Sequence, residues 1–138
     1  MLAFLAENRF GVLATIKSDG RPQLSNVGYS YDPESQLIRV SVTADRAKTR
    51  NLARDPRAVV HVLGGDFWSY ASVACSARLG AVSTEPGDQA AQDLLALFAD
   101  ISGKPHPNPQ EFFDVQVAEQ RLLLSLTAES ISGSGWTD

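Results

Sequence analysis

The sequence predicts a mainly β fold, an antiparallel barrel of about six strands with helices at its periphery. Apolar, β-branched segments recur with tight turns between them, which favours antiparallel strands because parallel strands need longer crossovers. Helical patterns enter late and do not alternate with the strands, as they would in a βαβ fold. The length of 138 residues, without repeats or a low-complexity linker, indicates a single domain over residues 1–138.

The individual elements follow from turn signals and helix breakers. Residues 18–22 and 32–35 are rich in turn-forming types, and the three strands around them are expected to form a meander. Pro56 should end one helix, and the prolines of residues 104–109 should separate two others. We expect strands over residues 10–17, 23–31, 37–42, 57–63, 67–82 and 121–128. We expect one helix ending near Asn8, one with Asp45 as N-cap, one opening at Glu85 or Pro86, and one over residues 111–119.

Composition excludes several classes of function. The 12 basic and 16 acidic residues give a net charge of −4, which offers no electrostatic footprint for nucleic acid. The single cysteine, Cys75, excludes an intramolecular disulfide, and with only His61 and His106 we expect no metal site. The apolar start of the chain is too short for a secretory signal or a membrane span. We therefore expect a soluble cytoplasmic protein.

A basic segment gives the strongest local signal for a ligand. Five of the twelve basic residues fall between positions 46 and 57: Arg46, Lys48, Arg50, Arg54 and Arg57. Arg46, Lys48 and Thr49 lie at the start of a predicted helix, where free N–H groups and the helix dipole favour an anion. Forked arginine bonds, a lysine charge and a threonine hydroxyl together suit a phosphate. The alternative is an ordinary solvated basic helix face.

Polar and aromatic side chains suggest the rest of the ligand. Ser25, Asn26 and Ser41 interrupt otherwise apolar strands, and a curled barrel could bring them beside the basic helix start. Trp68 and Tyr70 follow a glycine turn and offer rings for packing against a heterocycle. Core packing is the alternative for each of these two rings.

Five short motifs in fixed order resemble a known superfamily. They lie at residues 11–15, 20–26, 46–52, 55–57 and 68–70. This pattern resembles the split-β-barrel superfamily of pyridoxamine-5′-phosphate-oxidase-like flavin proteins, and most of all its actinobacterial branch that binds the deazaflavin coenzyme F420. The resemblance covers about residues 10–81 and is looser beyond them.

The resemblance implies a six-stranded split barrel that forms a homodimer with cofactor grooves at the subunit interface. Arg46, Lys48 and Thr49 would bind the cofactor phosphate, while Arg50 and Asn51 would serve the phosphate or the acidic oligoglutamate tail. Trp68 and Tyr70 would reach the groove from the second subunit. The implied cofactor-binding set is Gln23, Ser25, Asn26, Ser41, Val42, Arg46, Ala47, Lys48, Thr49, Arg50, Asn51, Trp68 and Tyr70.

The implied activity is an F420-dependent reductase that transfers hydride to a small electron-poor organic substrate. The cofactor carries the hydride, so no catalytic side chain is named. An FMN-dependent oxidoreductase and a non-catalytic F420- or flavin-binding protein are the alternatives. The Trp-x-Arg substrate motif of vitamin B6 oxidases is not visible, because residues 135–138 supply Trp136 without the arginine.

Two remaining reactive side chains are expected to be structural. His106 lies in the proline-rich loop and is interpreted as a surface residue. Cys75 lies among small residues without a basic neighbour in sequence and is interpreted as inert packing.

Overall fold

The computed structural model describes residues 2–136. Four helices and seven strands alternate irregularly along them, so the mainly β prediction is confirmed. In chain order the elements are α1 (Leu2–Glu7), β1 (Phe10–Ile16), β2 (Pro22–Gly28), β3 (Ser30–Asp32), β4 (Leu37–Thr43), α2 (Ala47–Arg54), β5 (Arg57–Leu63), β6 (Tyr70–Leu79), α3 (Gln89–Ser102), α4 (Pro109–Ala118) and β7 (Arg121–Ser134).

All seven strands form one curled antiparallel sheet in the order β2-β1-β5-β6-β7-β4-β3. The expected strand over residues 23–31 is broken at Tyr29, whose buried hydroxyl donates to the Leu5 carbonyl. Its two halves join opposite edges of the sheet, since β2 pairs with β1 and β3 pairs with β4. The break adds a seventh strand, but residues 23–31 still pair antiparallel with both neighbouring strands of the predicted meander, one through each half. It also bends the sheet into a barrel, with β2 and β4 in contact across the split.

The barrel interior is filled by alternate residues of each strand, as the period of two requires. On β5, Ala58, Val60 and Val62 are buried while the residues between them face outward. On β4, Val40 and Val42 are buried, so Ser41 lies on the outer face. The helices α3 and α4 pack against the outer face of β4 and β7. No helix within residues 2–136 is long and apolar enough to cross a membrane.

Several element starts differ from the sequence prediction, and before α3 and β6 an aspartate side chain holds the turn. Asp45 is not the N-cap of α2; Arg46 occupies that position, without a side-chain capping bond. The helix α3 begins at Gln89, since Asp88 accepts bonds from the backbone N–H groups of Thr84, Glu85 and Ala91. The strand β6 begins at Tyr70, after a turn in which Asp66 accepts from the Trp68 N–H.

Candidate functional site

Three cations meet at the start of α2: Arg46 and Lys48 from the helix itself, and Arg121 from the last strand. Burial, and then the charges of Arg46 and Arg121, lower the pKa of the Lys48 ammonium. Arg121 is brought there by β-sheet register, because it pairs with Thr43 at the end of β4. Its Nη1 donates to Ser41 Oγ at 3.1 Å, and its Nε donates to Glu119 at 2.6 Å. Cations that repel one another in this way favour an anionic ligand.

The backbone and one hydroxyl at the same place also suit an anion. The first turn of α2 carries no acidic residue, and no side chain caps its N–H groups. The first N–H groups of a helix have no partner within it and point toward any ligand placed there. Thr43 is 8% exposed, and its Oγ1 finds no hydrogen-bond partner within residues 2–136. A buried hydroxyl without a partner is costly, and a phosphate oxygen accepting its proton would remove that cost.

The five basic residues of the predicted cluster divide into two groups. Arg54 donates to the Ile16 carbonyl and to Asn51 Oδ1, both at 3.0 Å. Arg57 forms a forked pair with Asp55, and Arg50 donates to the Asp45 carbonyl. Arg46 and Lys48 have no carboxylate within 4.0 Å among the described residues. Arg50, Arg54 and Arg57 therefore have partners within the protein, whereas Arg46 and Lys48 remain candidates for binding an anion.

Thr49 and Asn51 are buried and bonded to the protein itself. Thr49 Oγ1 donates to the Thr43 carbonyl at 2.7 Å and so holds α2 against the end of β4. Asn51 Nδ2 donates to Thr15 Oγ1 at 3.1 Å and to Gln23 Oε1 at 3.0 Å. Because Gln23 accepts through its oxygen, its amino group remains able to donate to a ligand. Asn51 therefore positions Gln23.

The remaining predicted groove residues lie on different faces of their strands. Gln23 and Ser25 alternate with Asn26 along β2, so Asn26 lies on the opposite face, beside Val12. The Val42 side chain is 1% exposed in the core and cannot contact a cofactor from there. Ala47 occupies the first position of α2, where its backbone N–H rather than its methyl group serves an anion.

Trp68 and Tyr70 lie far from the cation cluster of the same chain. Arg121 is near the last residues of β6, since its carbonyl accepts from Ser83 and the Leu123 carbonyl accepts from Gly80. Tyr70 begins β6 at the opposite end, about 30 Å of strand away. Trp68 is 74% exposed and packs edge-on against Phe67. One barrel alone does not bring these rings to the cation cluster.

Sequence reasoning missed two members of the site, Thr43 and Arg121. Arg121 is a single arginine at the start of the last strand, 73 positions after Lys48 in the chain. Only the register of β4 against β7 brings it to Ser41 and the start of α2. Thr43 lies one residue beyond the predicted strand 37–42, and its side chain carries no local signal of a site.

Cys75 is buried in the core, and His106 packs against two aromatic rings. Burial, with a smaller contribution from the charge of Glu129, raises the pKa of the Cys75 thiol to about 12. His106 packs against Phe98 and Phe112, with ring centroids 4.9 and 5.3 Å apart, and its Nδ1 accepts from the Asn108 N–H. Within residues 2–136, no group of three or more His, Cys, Asp or Glu side chains is arranged to hold a metal ion.

Cys75 is expected to resist thiol reagents as long as the protein is folded. Its thiolate population is negligible near neutral pH, and the side chain is 2% exposed. Labelling with a chromogenic disulfide at pH 8 should be slow in buffer and complete in denaturant, with one thiol per chain. Equal rates in the two solvents would show that the thiol is accessible.

Comparison with known proteins gives three consistent results. A family model described as pyridoxamine 5′-phosphate oxidase matches residues 1–133. An F420H(2)-dependent biliverdin reductase of Mycobacterium tuberculosis (strain CDC 1551 / Oshkosh) is 28% identical over 122 residues, which are 88% of this chain and 83% of that protein.

Solved structures share the fold. A structure named F420 reductase superposes with a TM-score of 0.71 at 21% identity and covers 94% of both chains. The conserved hypothetical protein Rv2991 from Mycobacterium tuberculosis gives a TM-score of 0.70 at 22% identity, over 94% of this chain and 79% of that one. At these identities the solved structures show the shared fold. The chain belongs to the pyridoxamine 5′-phosphate oxidase family.

Proposed function

We propose that this protein is a reductase that uses the deazaflavin coenzyme F420. The observation that carries the proposal is the convergence of Arg46, Lys48 and Arg121 on an uncapped helix start beside the unpartnered Thr43 hydroxyl. These groups fit a phosphate, and the ring would lie toward Gln23, Ser25 and Ser41. The likeness to an F420H(2)-dependent biliverdin reductase favours the deazaflavin.

The residues of this chain bind and orient the cofactor. The deazaflavin supplies the hydride when it is bound, and the substrate receives it at an electron-poor carbon. Lys48 and Arg46 hold the phosphate, while Gln23, fixed by Asn51, offers its amide N–H groups to the edge of the ring. Arg50 is exposed one turn further along α2, where an acidic tail can meet its charge.

FMN is the second candidate cofactor, because its ribityl phosphate fits the same cations. Titrating the empty protein with F420 and with FMN separates the two, and we expect the deazaflavin to bind more tightly. Oxidation of reduced F420 in the presence of quinone, enone or tetrapyrrole acceptors then tests catalysis. Tight binding without turnover of any acceptor would favour the non-catalytic alternative. Tighter binding of FMN would overturn the deazaflavin proposal.

The functional unit is proposed to be a homodimer. The outer face of β2, β1, β5 and β6, together with the turn before β6, exposes seven large side chains: Phe10, Leu24, Val59, Leu63, Phe67, Trp68 and Tyr70. Such a continuous apolar face is unusual for a monomer and is typical of an interface. A partner docked on this face can bring its Trp68 and Tyr70 to a groove that those of the same chain do not reach.

A charge in the middle of this face should separate the subunits. Val59 is 39% exposed and lies between Ala14 and Ala74 of the neighbouring strands, so Val59→Glu adds a charge without disturbing the core. We expect the variant to be a folded monomer with weakened cofactor binding. The control is Gln92→Glu, on the exposed side of α3, which packs against β4 and β7 instead. Light scattering at micromolar concentration checks the result, and a dimeric Val59→Glu would place the interface elsewhere.

A further inference from the structure

A cavity lies beside the cation cluster. Its volume is about 340 Å³, within the range of small-molecule sites. It lies between α3, α4 and the outer face of β4 and β7. Ser41 and Arg121 line it and also belong to the cation cluster, so the cavity adjoins the proposed cofactor site.

The cavity walls are two apolar helix stripes that face each other. On α3, Leu94, Leu97, Phe98 and Ile101 follow the i, i+3, i+4, i+7 spacing of one helix face. On α4, Phe112, Val115, Gln116 and Glu119 repeat this spacing. The stripe on α4 changes from apolar to polar toward its C-terminus, which is the end nearest Arg121. The cavity thus has an apolar body and one polar end.

Hydrogen-bond donors at the polar end define what it can hold. Arg121 uses Nε for Glu119 and Nη1 for Ser41, which leaves Nη2 to donate to a ligand. Ser41 accepts from Arg121 and can still donate its own proton. A planar group with oxygen acceptors, above all a carboxylate, matches these donors.

We propose that this cavity binds the apolar body of an aromatic or aliphatic organic acid, with the acid group at Arg121 and Ser41. That such an acid binds here is argued from the lining of the cavity and from the free donors of Arg121 and Ser41 alone. The role of its occupant as the substrate rests on the proposed function, since the cavity meets the cofactor site at Ser41. The substrate class is then an electron-poor apolar acid.

Two dyes that differ by one acid group test the proposal. The probes are 8-anilinonaphthalene-1-sulfonate and its uncharged analogue N-phenyl-1-naphthylamine, each titrated by fluorescence. We expect the sulfonate to bind roughly tenfold more tightly or better, and Arg121→Gln to abolish this preference. Equal affinities for the two dyes in the parent protein would overturn the acid part of the proposal.

Filling the cavity tests its position. Val115 lines the rim and is 41% exposed, so Val115→Trp can block the cavity without overpacking the core. The control, Gln110→Trp, places the same ring on an exposed part of α4 outside the cavity. We expect the site for the dyes to be lost in Val115→Trp only, and unchanged dye binding in that variant would overturn the proposal. Val115→Trp should bind the cofactor with the affinity of the parent protein. If the parent protein bound the dyes but neither F420 nor FMN, the proposed function would be refuted and the cavity proposal would stand.

Discussion

Replacing Lys48 with alanine is expected to weaken cofactor binding about ten- to a hundred-fold. A charge-assisted hydrogen bond contributes roughly 1.5–3 kcal/mol, and each 1.4 kcal/mol is a factor of about ten in affinity. The stability of the empty protein should not fall, because Lys48 is repelled there by Arg46 and Arg121. Fluorescence titration at fixed salt measures the affinity, and thermal unfolding measures the stability.

Lys17→Ala is the matched control for this variant. It removes the same charge from an exposed turn, where the closest carboxylate oxygen of Asp19 is 3.9 Å from Nζ. We expect parental affinity for Lys17→Ala. If Lys48→Ala bound the cofactor like the parent, or if both variants lost affinity equally, the phosphate would not lie at the start of α2.

The lowered pKa of Lys48 adds a pH signature. A lysine with a lowered pKa loses its proton at a lower pH than one with the usual pKa of 10.5, and phosphate binding needs the charged ammonium. Affinity of the parent should therefore fall as the pH rises through this lowered pKa, before an ordinary lysine would titrate. Lys48→Ala should lack this alkaline loss, so titrations over a series of alkaline pH values distinguish a charge effect from a change in shape.

Asn51→Ala is expected to destabilise the protein by about 1–3 kcal/mol. The substitution leaves Thr15 Oγ1, in a side chain that is 1% exposed, without its donor. It also frees Gln23 and removes one acceptor of Arg54, so the contact between α2 and the first two strands loosens. Chemical denaturation measures the loss of stability.

Asn26→Ala provides the comparison for Asn51. Asn26 is exposed on the outer face of β2 when no partner covers it. In the monomeric Val59→Glu background, where both asparagine variants are measured, Asn26→Ala should therefore alter stability by less than about 0.5 kcal/mol. Cofactor affinity of Asn51→Ala should also fall, since Gln23 is no longer held in place. Equal stability of the two asparagine variants would mean that the Asn51 network does not support the fold.

The sequence predicted those parts of the molecule that depend on local pattern. Alternation from Arg57 to Leu63 located β5 with its bounds, and Pro56 located the end of α2. Arg46 and Lys48 were recognisable because a helix start and two cations occur together within three residues. These features need no knowledge of the partner strands.

Features that depend on long-range register were not predictable in the same way. The break at Tyr29 is set by packing against α1, and it sends β3 to the far edge of the sheet. Arg121 joins Ser41 through the pairing of β4 with β7, 80 positions apart. An asparagine is equally compatible with an exposed helix position, so the sequence does not show that Asn51 is buried. Its amide positions Gln23 only because α2 packs against the barrel wall.

The most direct test of the account compares each cofactor with its phosphate-free form. Riboflavin differs from FMN by the phosphate, and the deazaflavin core without its phosphoester differs from F420 in the same region. If Arg46, Lys48 and Thr43 hold the phosphate, calorimetric titration should show a loss of about a hundred-fold or more when it is removed. The loss should shrink in Lys48→Ala. Equal affinity with and without the phosphate would contradict the assignment of this cluster to the cofactor.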